Sequence, residues 1–357
     1  MVVDMVKVFA PATAAFLLGI AATPVLTHYL YKYRAWKKKA GKVAPDGSAT
    51  PIFNKLHESK EVGTPRMGGI VVWASSALTI LGFWVLAQAF PKDIFSKLDF
   101  LSRDQTWIPL FTLLVGSLVG LADDLFEISG RGGYLAGGLS IKKRLLIVGA
   151  VALFVGYWFF AKLCITGIAL PFSPETFELG WLIVPFFITI TLALYASGVI
   201  DGIDGLSGGV FATIFSAYAI LAFSQEQINL AAFSAMLVGA LLAFLWFNIP
   251  PARFYMSETG TMGLTVTLAV VAFMTDSLGD GIGVSVLPII ALPLVATVLS
   301  VVVQLLSKKF RGKKVFLVAP LHHHFEAIGW PGYKVTMRYW VISVMCAIVG
   351  VMIALVG

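Results

Sequence analysis

Cysteine is nearly missing from this chain: 357 residues hold two, Cys164 and Cys346, far apart in sequence. That scarcity excludes a disulfide framework and a cysteine-based zinc site. Charge is thin as well, 13% of residues against 58% hydrophobic. A soluble core of this size needs a far larger polar shell. With a mean hydropathy of +0.88, the composition places the chain among integral membrane proteins. Low-complexity tracts and internal repeats are also lacking, which leaves a single membrane domain over 1–357.

What the chain has in plenty is uncharged stretches of spanning length. They are 8–27, 67–91, 105–122, 145–161, 181–200, 206–224, 228–252, 259–275, 281–307 and 339–357. Irregular backbone cannot face lipid, so the expectation is an all-α, polytopic bundle of about ten transmembrane helices. The first stretch lacks the short apolar core and small-residue cleavage site of a signal peptide, and reads as a span.

Orientation follows from the basic residues. With both termini periplasmic or extracellular, 21 of the 26 Lys and Arg fall inside: nine at 28–66, four at 123–144, one at 248–258 and seven at 308–338. Only Lys7, Lys92, Lys97, Arg103 and Lys162 fall outside, as the positive-inside rule requires. The net charge of +7 therefore reads as a topology signal and an attraction to anionic headgroups, not as nucleic-acid binding. The outside loops 165–180 and 275–284 read as chemically bland.

Under this topology the unusual polar residues gather at the inner face. Asp123 and Asp124 close the third span, Asp201 and Asp204 lie between the fifth and sixth, and Glu258 lies between the seventh and eighth. His322, His323 and His324 fall between the ninth and tenth, in a run expected to be non-helical. Each group has a plainer reading as a solvated helix end, a capped turn or a cap. Carboxylates beside hydrocarbon are costly to ionise, however, and repeating that cost on one face points to a metal or a charged substrate. Oxygen donors without cysteine suit a hard divalent ion such as Mg²⁺, which in turn suits phosphate chemistry. Adjacent histidines in an irregular run point apart, which argues against one chelated ion. Largely neutral, they suit hydrogen bonding to phosphate or sugar; packing of the loop is the alternative for at least one of them.

The strings "GTPRMGGI" (63–70), "LADD" (121–124), "GLS" with the basic residues after it (138–144) and "DGIDGLSGG" (201–209) form a recognisable set. "FLWFN" (244–248) and "VFLVAPLHHHFEAIGWP" (315–331) complete it. Nearly end to end, the chain resembles the polyprenyl-phosphate N-acetylhexosamine-1-phosphate transferases. The last string is similar to the phospho-N-acetylmuramoyl-pentapeptide branch and not to the GlcNAc-1-phosphate branch. The resemblance implies Mg²⁺-dependent transfer of phospho-MurNAc-pentapeptide from UDP-MurNAc-pentapeptide to undecaprenyl phosphate. The products are lipid I and UMP, in the first membrane step of peptidoglycan synthesis. It also implies a multi-pass protein of the bacterial inner (cytoplasmic) membrane. Its active site, facing the cytoplasm, is formed by loops 28–66, 123–144, 200–206, 248–260 and 308–338.

By the same resemblance, Asp123, Asp124, Asp201 and His322 are expected to be catalytic, and Glu258 to bind metal with Asp123 and Asp124. Lys60, Arg66, Asp204, Asn248, Tyr255, Gln304, His323 and His324 are expected to contact substrate. The implied partners are the two substrates and the bilayer, with no nucleic acid and a homodimer left open. A transferase of another UDP-N-acetylhexosamine is the first alternative, and "PLHHHFE" stands against it. An ion-coupled transporter is the second; it requires acids in mid-span rather than at inner ends.

The chain departs from the family pattern at several places. Ser257-Glu258 replaces a usual Gly-Asp, which lengthens the carboxylate arm by one methylene. Gly198 replaces an Asn three positions before the Asp-Gly turn. Tyr255 replaces a Phe and keeps an aromatic face. Glu127 stands where a Lys often follows the Asp pair, and Arg66 replaces a Thr, a cation expected to restore the charge.

Overall fold

A computed structural model describes residues 1–38, 62–92, 94–102, 105–130, 138–173 and 175–357. Among these residues the chain forms α1 Val2–Lys32, α2 Ile70–Ala89, a short α3 Ile94–Leu98, α4 Trp107–Ser129 and α5 Ile141–Leu163. It continues through α6 Ile183–Ala196, α7 Leu206–Ser224, α8 Ile228–Asn248 and α9 Ser257–Met274. A short α10 Gly283–Ile290, α11 Leu292–Arg311, a short α12 Leu321–Ala327 and α13 Gly332–Val356 complete it. Ten of these helices are long and apolar enough to cross a membrane, α6 doing so with a 3₁₀ turn at each end. Each expected span meets one of them.

Four expectations need correction. The ninth span, 281–307, is not continuous: it breaks at Ala291 into α10 and α11, with Pro293 in the first turn of α11. A proline nitrogen has no hydrogen to give to the preceding turn, so the helix restarts there. The third span does not close at the aspartates, because α4 runs on to Ser129 and stops at left-handed Gly130. The fold is all-helical as expected, with one small antiparallel pair beside the helices, β1 Gly167–Ala169 with β2 Thr176–Glu178. The connection that carries this pair is not bland: buried Asp276, just past α9, accepts the backbone N–H groups of Ala169 and Val284, both at 2.9 Å. Finally, the histidines are helical, lying in α12 after Pro320.

Burial is uneven, and that places the core. About 94% of the spanning window of α9, 78% of α8 and 72% of α7 is buried, against 44% or less in the other spans. Helix α9 is also the least apolar of the ten. Surrounded by protein, it can carry Thr and Gly where a lipid-facing helix needs hydrocarbon. Small residues bring α4 against it: a Cβ on Gly116 would lie 2.8 Å from the Gly263 Cα. The Thr112 and Thr267 hydroxyls meet at 3.3 Å across the same seam. That packing lays the acidic end of α4 beside the first turn of α9.

Candidate active site

Asp123 and Asp124 are both fully buried. Successive residues on a helix point about 100° apart, so the pair serves two different neighbours. Asp123 accepts the Leu139 backbone N–H at 2.6 Å through Oδ1 and pairs with Arg144 at 3.0 Å through Oδ2. Asp124 turns to α9, where its Oδ2 accepts the Ser257 hydroxyl at 2.8 Å and both the backbone N–H and hydroxyl of Thr259, at 2.9 and 2.5 Å. Its Oδ1 lies 3.7 Å from Arg66 Nε.

Two arginines tie the acids together. Arg144 reaches Glu258 at 2.7 Å as well as Asp123, so one guanidinium bridges α4 and α9. Tyr195, at the end of α6, lies beside the same guanidinium. Arg66 pairs with Glu127 at 2.8 Å, and Lys37 reaches the same carboxylate oxygen at 3.4 Å. Burial alone would pull the Arg66 guanidinium down; Glu127, then Asp124, outweigh it and hold the group above its ordinary value.

Segment 65–69 is stitched to the approach of α9. Tyr255 donates its N–H to the Pro65 carbonyl at 2.9 Å, and Gly68 donates to the Tyr255 carbonyl at 2.7 Å. The Met67 N–H reaches the Ser257 hydroxyl at 2.8 Å. Gly69 packs so tightly against the Gly260 backbone that no Cβ could be accommodated there. Ser257 itself has a left-handed φ of 51°, a conformation that favours glycine. The family pattern's glycine fits that backbone better, whereas here the serine hydroxyl links Met67 to Asp124.

The Asp-Gly turn completes one wall. Asp201 accepts the Ser207 hydroxyl at 2.7 Å and the Ser257 backbone N–H at 2.8 Å. Asp204 accepts the Ala252 N–H at 3.2 Å, and it lines an open cleft of about 440 Å³ with Val62, Thr64, Pro250, Pro251, Ala252 and Tyr255. Asn248 is buried and bonded on both sides: Oδ1 accepts the Gly205 N–H at 2.9 Å and Nδ2 donates to the Phe254 carbonyl at 2.8 Å. It fixes the cleft walls to each other.

The histidine helix closes the other side. His322 and His323 are buried, their rings 4.2 Å apart, and His323 Nδ1 meets Glu326 at 2.8 Å. A Cβ on Gly202 would stand 2.5 Å from His322 Nε2 and 2.6 Å from His323 Nε2, so the Asp-Gly turn touches this helix only because glycine is there. His324 points elsewhere, accepting the Leu317 N–H at 3.3 Å. Gln304 is engaged with backbone, accepting the Val315 and Phe316 N–H groups and donating to the Phe316 carbonyl, each at 3.0 Å. Lys60 lies outside the described residues.

Sequence reasoning missed Arg144, Ser257, Thr259, Tyr195 and Lys37. Arg144 carried a faint signal as the last basic residue after "GLS". Ser257 was marked only as a departure from the family pattern, and the others carried none, because a threonine, a tyrosine or a lysine near a span end is unremarkable until something faces it.

The site can be tested for a divalent cation. Asp124 Oδ1 is buried with no hydrogen-bond partner, and Asp123 Oδ2 has only its ion pair with Arg144. Around them, among the described residues, Asp123, Asp124, Glu127, Asp201 and Glu258 face Lys37, Arg66 and Arg144. The donor chemistry thus fits one hard divalent ion. No three acids, cysteines or histidines converge on one point among the described residues, since Arg144 holds Glu258.

Residues 106–276 match the glycosyl transferase family 4 model. Over 348 residues, 96% of this chain and 96% of the relative, the chain is 32% identical to the phospho-N-acetylmuramoyl-pentapeptide-transferase of Bacillus mycoides (strain KBAB4). Over the same extent it is 33% identical to the protein of that name from Bacillus anthracis (strain A0248) and 32% identical to that of Bacillus cereus (strain AH187).

Proposed function

The chain belongs to the phospho-N-acetylmuramoyl-pentapeptide-transferase family, and from that premise we propose how its site works. The protein is a multi-pass membrane transferase. It moves phospho-MurNAc-pentapeptide from UDP-MurNAc-pentapeptide to undecaprenyl phosphate, releasing UMP and lipid I. The observation that carries this is similarity across 96% of both chains, which takes in every polar cluster described above.

A water-soluble nucleotide and a lipid phosphate must meet at headgroup level. The positive-inside count supports a cytoplasmic site in the inner membrane, with both termini on the opposite side. There, an oxygen of the lipid phosphate attacks the β-phosphorus, and the bond to the bridging oxygen of UMP breaks. One displacement suffices, and no protein nucleophile is needed. Asp123 orients the attacking phosphate and takes any proton it still carries; most of that phosphate is already ionised, so placement matters more than basicity. Arg66 and Arg144 stabilise charge on the phosphate oxygens in a dry setting where such contacts are strong.

Asp123, Asp124 and Glu258 would hold magnesium, which would supply further neutralisation of the diphosphate. Asp201 keeps the first turn of α9 in place through the Ser257 N–H. Asp204 and Tyr255 hold the nucleotide in the open cleft, whose walls Asn248 braces. His322 and His323, with His324 and Gln304 behind them, form the side that receives the sugar and peptide.

Purified protein should release UMP from UDP-MurNAc-pentapeptide only when both Mg²⁺ and undecaprenyl phosphate are present. Turnover of UDP-GlcNAc in its place would reassign the substrate, and release without the lipid phosphate would overturn the transfer reading.

A further inference from the structure

By its three- and four-residue spacings Glu127 neighbours both Asp124 and Asp123 on α4, so a third like charge is added to a buried acidic pair. The crowding is relieved from outside the helix, by Arg66 and Lys37 on Glu127. Glu127 is itself scarcely exposed, at 9% of its side chain. Arg66 sits on a fixed mount: its N–H bonds to the Ala35 carbonyl at 2.7 Å, and the residues after it are stitched to 255–257. Glu127 takes one Nη1 donor, while Arg66 Nε is buried with no hydrogen-bond partner, 3.7 Å from the equally unpartnered Asp124 Oδ1. A guanidinium anchored through one Nη1, with its side chain still 20% exposed, is set to turn its outward N–H groups to a phosphate.

We propose that Glu127 is a positioning residue that holds Arg66 open for a phosphate group of the substrates, with Lys37 offsetting its charge. This rests on the transfer reading above. Glu127 keeps the guanidinium from closing the short gap to Asp124. Without it, Asp124 Oδ1 is the nearest acceptor, and tightening that 3.7 Å contact turns the guanidinium away from a phosphate. The consequence runs against simple charge counting. Deleting a negative charge beside a phosphate site ordinarily strengthens phosphate binding; here it weakens it.

The test is steady-state transfer by reconstituted wild type, Glu127→Gln, Glu127→Asp and Arg66→Ala, with KM measured separately for undecaprenyl phosphate and for UDP-MurNAc-pentapeptide. Glu127→Gln should raise one of the two KM values about tenfold or more with kcat changed far less. Arg66→Ala should raise the same one, and Glu127→Asp should recover part of the loss. Whichever KM moves identifies the phosphate that Arg66 holds. An unchanged or lower KM in Glu127→Gln overturns the inference, as does a loss seen only in melting temperature. If wild type releases no UMP, the transfer reading fails instead. Calorimetric binding of a short-chain polyprenyl phosphate to the same proteins then decides the anion role alone, with Glu127→Gln binding at least as tightly as wild type the overturning result.

Discussion

Gly120 lies so close to the start of α9 that a Cβ there would run into the Glu258 carbonyl oxygen. This contact lets Asp124, one turn further on, reach Ser257 and Thr259. Gly120→Ala must push α4 and α9 apart or distort both. Overpacking of this kind costs about 1–3 kcal/mol, and the Asp124 hydrogen bonds break with it. Both a lower unfolding temperature in detergent and a collapse of transfer activity are expected. Near-normal values for both would mean that the two helices are less tightly coupled than the contact implies.

Asp123→Asn keeps an oxygen for the Leu139 N–H but loses the charge facing Arg144. Turnover should fall by about 100-fold or more, with the unfolding temperature close to that of wild type. A single-turnover measurement with saturating substrates checks this, and an unimpaired rate would take Asp123 out of the reaction.

Glu258 pairs with Arg144 and is one of the three acids proposed to hold magnesium. Glu258→Gln should raise the Mg²⁺ concentration needed for half-maximal turnover by about tenfold or more. Mn²⁺ bound to the protein, followed by electron paramagnetic resonance, gives a readout independent of turnover. Identical titrations for variant and wild type would locate the metal elsewhere.

Gly202 touches the histidine helix without a side chain. Gly202→Ala places a methyl group against His322 and His323 and should displace α12 from the Asp-Gly turn. Transfer is expected to drop at least tenfold while the ten spans, and hence the circular dichroism spectrum, stay intact. Should activity survive, close seating of the histidines against this turn is dispensable.

Most of the architecture was legible in the composition. A charge in hydrocarbon costs energy wherever the chain puts it, so the spans can be marked residue by residue without knowing what packs on what. The convergence of Asp123, Asp201, Glu258 and the histidines was legible for the same reason, since alternating spans bring every second loop to one face. The break at Ala291 was hidden inside an uncharged window, because hydropathy does not register the missing N–H of Pro293. The helical turn holding His322 and His323 was hidden too: seven residues of mixed polarity carry little helical signal, and packing against the Asp-Gly turn settles their shape.

From the sequence alone come the membrane spans and the gathering of the acids at one face, and from its resemblance to a family the departures at Glu127 and Arg66. Only the tertiary structure decided which charges meet. Arg66 finds Glu127 across 61 positions, and Arg144 finds Glu258 across 114. The cost of burying a charge is a property of each residue and its solvent, so it can be read locally. The partner that offsets this cost is chosen by distance in space, which no local pattern encodes.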